Sequence, residues 1–73
     1  MEVINMATKI ISDAEFKRDI DLCNTVLSKR GAHVVVSRGK PIIFVNNARV
    51  AVCTNREEAQ KILWAITEVA KVI

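Results

Sequence analysis

The spacing of apolar residues changes twice along this 73-residue chain, and that change limits what it can fold into. Phe16, Ile20, Cys23 and Leu27 recur at the helical period, with Val26 at their side. From Ala32 to Cys53 the pattern becomes β-branched blocks separated by Gly, Pro and Asn. Ala59, Ile62, Leu63, Ile66, Val69, Ala70 and Ile73 then return to a single helical stripe. Residues are 51% hydrophobic and 26% charged, enough for a core and too apolar for a disordered tail. The expectation is one α+β domain over residues 1–73, a three-stranded antiparallel β-meander between two α-helices.

Turn and cap residues set the boundaries. Ser12 and Glu15 have capping-box spacing, and Asp13 and Glu15 suit the positive end of a helix dipole, so the first helix opens at Ser12. It runs to about Arg30, and Gly31 supplies the left-handed stop. Strands follow at His33–Arg38, Ile42–Val45 and Arg49–Cys53, turning at Gly39-Lys40 and Asn46-Asn47. The central strand is apolar on both faces, with Ile42 and Phe44 one way and Ile43 and Val45 the other. Such a strand needs cover on both sides, from two helices or from one helix face plus a second protein. Thr54 and Glu57 again have capping-box spacing, and the last helix runs from about Asn55 to the end. Residues 1–11 form a short strand or arm, loose over 1–7, in which Val3, Ile4 and Met6 either cover the core or meet a partner.

Charge is unevenly placed. Residues 22–56 carry Lys29, Arg30, Arg38, Lys40, Arg49 and Arg56 and no acid, between mildly acidic ends. Such a block attracts an acidic protein surface or nucleic-acid phosphates, and Arg30, Arg38, Lys40 and Arg49 are the candidates for that contact. On a helical wheel Trp64 lies about 170° from the centre of the last helix's stripe, among Gln60, Lys61, Thr67, Glu68 and Lys71. A tryptophan directed away from the core is a favoured interface anchor, which marks Trp64 and Lys61 as protein-binding candidates.

Catalytic chemistry finds no foothold in the residue pattern. The glycines are Gly31 and Gly39, so there is no phosphate-cradling loop. His33 is the single histidine, and Cys23 and Cys53 lie thirty residues apart, which suits buried thiols in a reducing cytosol rather than a metal site. Asp19 and Asp21 diverge on a helix. No catalytic residue, metal or cofactor is therefore expected. No apolar run approaches the ~20 residues of a membrane span, so no membrane contact is expected either.

Two resemblances bear on function. Ser12-Asp13-Ala14 and Val36-Ser37-Arg38-Gly39-Lys40-Pro41 resemble Phd/YefM-type antitoxins, in which such a helix start precedes a Ser/Thr-Arg-Gly-Lys-Pro hairpin. Glu15 stands where that family usually has a basic residue, and Arg49–Cys53 adds a strand. This resemblance implies a dimeric DNA-binding autoregulator with Arg38, Lys40 and Arg49 on phosphates. In size, in its lone compact domain and in its outward-facing Trp64 the chain is also similar to small phage-encoded regulators that bind host RNA polymerase, antitermination proteins among them. That similarity implies a non-catalytic transcription regulator in the cytoplasm of a bacterial host cell, acting by protein–protein contact. The choice between monomer and dimer stays open.

Overall fold

A computed structural model describes residues 10–73. Helix α1 spans Asp13–Ser28, strands β1, β2 and β3 span Val34–Val36, Ile42–Val45 and Ala48–Val52, and helix α2 spans Arg56–Val72. The strands form one antiparallel sheet in the order β1-β2-β3, which is the expected α+β meander between two helices. Residues 1–9, with Val3, Ile4 and Met6, lie outside the described residues.

The caps follow the sequence with one correction. The Ser12 side chain accepts from the Glu15 N–H at 3.1 Å. Helix α1 ends at Ser28 rather than Arg30. The Arg30 and Ala32 N–H groups both donate to the Leu27 carbonyl, and Gly31 takes a φ of +73° that a side chain would resist. Asn55, not Thr54, caps α2. Its side chain accepts from the Glu58 N–H at 2.9 Å, and Glu58 reaches back to the Thr54 N–H at 2.7 Å. Asn outranks Thr as an N-cap, and Glu58 stands three residues on.

The hairpins are tight. Asn46 and Asn47 both have positive φ, as a type I′ turn requires, and the Asn46 carboxamide accepts from the His33 N–H at 3.0 Å. Ser37 folds the β1–β2 turn, donating from Oγ to the Lys40 carbonyl and accepting from the Ile42 N–H. His33 and Ser37 fall just outside the strand, which leaves β1 at Val34–Val36, shorter than expected. Strand β3 has a bulge: Ile43 pairs with Ala51 but Phe44 pairs with Arg49, so Val50 is the extra residue. Strict alternation from Ala51 would turn Arg49 toward the core. The bulge places it opposite Phe44, on the outside.

One core forms between the helices and one face of the sheet. Cys23 and Leu27 of α1, Val34 and Ile43 of the sheet, Cys53, and Ala59, Leu63 and Ala70 of α2 are buried together. Phe16, Ile20, Val26, Ile62 and Ile66 pack half-buried around them. Three strands lie between the helices, so α1 and α2 run the same way. Arg56 at the start of α2 pairs with Asp13, donates to the Ile11 carbonyl at 3.0 Å and lies 5.2 Å over the Phe16 ring, all at the start of α1. At the other end Arg30 donates to the Ala70 carbonyl at 3.0 Å. Parallel helix dipoles repel. Asp13, Glu15, Glu57 and Glu58 at the shared N-terminal end offset this, as do Arg30 and Lys71 at the C-terminal end.

The helical stripes are only partly used. Gln60, expected on the polar face with Trp64, is only 3% exposed. Its amide donates to Asp19 at 2.6 Å and to Glu15 at 3.2 Å, because α1 lies against that side of α2. Val69 and Ile73, expected in the core, are exposed.

Candidate protein-binding surface

With both helices on one face of the sheet, the other face is uncovered among the described residues. Its side chains follow from the register: Val35 beside Phe44 beside Arg49, and Ile42 beside Val52, with Val50 at the bulge. Val35, Val50 and Val52 are each about half exposed, at 51%, 52% and 51%. Ile42 and Phe44 lie between them, partly shaded by their neighbours. The two-sided apolar character of β2 is thus met by the core on one side and by no described residue on the other. Contiguous exposed apolar surface of this kind marks an interaction site more often than scattered single residues do.

Cations border this face. Arg49 stands on it beside Phe44, and Arg38 and Lys40 are exposed in the β1–β2 turn at the end where Ile42 pairs with Val52. Arg38 also borders a cleft of about 650 Å³ between α1 and that turn, floored by Phe16, Ile20, Val36 and Pro41. Arg30 is separate from these three, at the C-terminal end of α2, where it satisfies a helix carbonyl. The four sequence-predicted cations therefore do not form one patch.

Trp64 and Lys61 lie in the helical layer, away from the outer sheet face. Trp64 is 50% exposed, and its indole N–H is directed at Asp19 Oδ1 at 3.4 Å. Leu22, Val26, Thr67 and Lys71 line a shallow cleft of about 240 Å³ with it. It points away from the core, as the wheel predicts, but half of it rests against α1. Lys61 is exposed on α2.

Both thiols are fully buried and free. Burial pushes the Cys23 thiol up, partly offset by the Thr67 hydroxyl. Burial raises the Cys53 thiol as well, and the Glu58 carboxylate adds to it. Neither is poised as a thiolate nucleophile at neutral pH. Among the described residues no group of three His, Cys, Asp or Glu side chains is placed to hold a metal, and no helix is long and apolar enough to cross a membrane.

The outer face was half legible in the sequence. The signal was β2 itself, apolar at four consecutive positions. The bulge that brings Val50 and Arg49 onto the same face has no sequence signature of its own. No known protein family, curated protein or solved structure matches this chain.

Proposed function

We propose that this domain is a non-catalytic transcription regulator that binds another protein through the outer face of its sheet. The observation that carries this is the apolar row of Val35, Phe44, Ile42 and Val52 with Val50, bordered by Arg49, Arg38 and Lys40. Its partner is apolar at the centre and acidic at the rim. Two copies placed face to face would bring like charges together around Arg49, which disfavours a second copy at this face. An acidic partner gains what a second copy would lose. The similarity to phage-encoded regulators names bacterial RNA polymerase as that partner. In this reading Trp64 serves the packing of α2 on α1.

The test is a pull-down from nuclease-treated bacterial lysate with wild-type and Val52→Glu domains in parallel. Polymerase subunits on the wild type, reduced at least about tenfold on Val52→Glu, support the reading. Equal recovery on both removes the sheet face from it. Capture that needs DNA restored transfers Arg38, Lys40 and Arg49 to phosphate contact and the antitoxin-like alternative.

A further inference from the structure

The cleft between α1 and the β1–β2 turn is a concave surface separate from the outer sheet face. We infer that it binds a peptide segment of a partner protein in which a carboxylate side chain lies next to an apolar one. Asp13, Phe16, Lys17 and Ile20 follow one another at steps of three, one and three residues. They therefore share one face of α1, and that face is one wall of the cleft. The β1–β2 turn is the other wall. Ser37 Oγ closes that turn on itself, through the Lys40 carbonyl and the Ile42 N–H, so its polar groups are satisfied without contact to α1. The space between the walls is about 650 Å³, within the roughly 300–1,000 Å³ of ligand sites.

The occupant follows from the chemistry of the walls. Phe16, Ile20, Val36 and Pro41 form an apolar floor, which calls for an apolar side chain. Cations face that floor from both walls, Lys17 from α1 and Arg38 from the turn. Arg38 is exposed and has no ion pair among the described residues. Its guanidinium is free to take a carboxylate through paired N–H donors. Lys17 pairs with Asp21, but both side chains are largely in water, so a ligand carboxylate can replace Asp21 at little cost. Arg56, at the end of the cleft, is already committed to Asp13 and to the Ile11 carbonyl. Arg56 also lies 5.2 Å over the Phe16 ring, so that face of the ring is closed to a nucleic-acid base. A simple anion would satisfy Arg38 and leave the floor unfilled. A peptide that joins a carboxylate to an apolar side chain satisfies both.

Amide NMR titration of the whole chain tests this with four probes: the capped peptide Leu-Glu-Leu-Glu, its analogue Leu-Gln-Leu-Gln, inorganic phosphate and an oligothymidine. The acidic peptide should move the Phe16, Ile20, Val36 and Arg38 signals, with Kd on the order of 1 mM. Arg38→Glu should raise that Kd at least about fivefold with the circular dichroism unchanged, because Arg38 is exposed. Lys61→Glu makes the same charge change on α2, outside the cleft, and should leave Kd within about twofold. Absence of these shifts up to about 10 mM peptide overturns the inference. So does equal binding of the glutamine analogue, or an equal effect of Arg38→Glu and Lys61→Glu. Phosphate or the oligothymidine moving the same signals more strongly than the acidic peptide also overturns it. Val52 does not line the cleft, so the titration and the Val52→Glu pull-down can fail independently.

Discussion

Asn24 shows how one side chain closes a sheet edge. Its carboxamide accepts from the Val34 N–H at 2.7 Å and donates to the Val34 carbonyl at 3.1 Å, as a neighbouring strand would. An edge strand with such groups unpaired invites pairing with another chain. Asn24→Leu leaves both Val34 groups unpaired at a half-buried site. It should cost about 2 kcal/mol, or roughly 10 °C in Tm, in a thermal melt. Trp64→Ala should lower stability by a similar amount and leave partner capture intact. Capture lost with the fold retained would return Trp64 to the interface. The two thiols give a pH signature. Their folded-state values are raised, so the native state holds protons that the unfolded chain releases near its ordinary value of 9.0. Stability is full below that pH and falls as pH rises through the folded values. Urea midpoints should be lower at pH 10 than at pH 7, and the difference should shrink in a Cys23→Ala, Cys53→Ala protein.

At the scale of the element, boundaries were legible where a single residue decides them. Ser12 opens α1, Gly31 stops it, and Asn46-Asn47 turns the second hairpin, because each conformation favours a short list of residue types. The sequence leaves the start of α2 ambiguous by one residue, since Thr54 and Asn55 both qualify as caps and two adjacent glutamates follow. Asn55→Ala should cost about 1 kcal/mol by urea unfolding. Thr54→Ala should cost less, because the Thr54 backbone N–H keeps its bond to Glu58. Equal losses would contradict the assignment. What the sequence did not disclose depends on contacts between elements. Gln60 is polar and sits on the wheel with exposed residues, yet α1 buries it by supplying Asp19 and Glu15. The bulge at Val50 depends on Arg49 avoiding a core that two distant helices create.

At the scale of the whole molecule, the described residues make two layers and no third. The helices pack on one side of a sheet whose central strand is apolar on both, so the unused face is a consequence of the topology. A site-specific photo-crosslinker tests most directly whether a protein partner covers that face. It would be placed at position 52 on the sheet and, as a control, at position 61 on α2, and the domain mixed with purified bacterial RNA polymerase. The account predicts a crosslink to a polymerase subunit from position 52, weakened by salt, and none from position 61. A crosslink from position 61 with none from position 52 would contradict it.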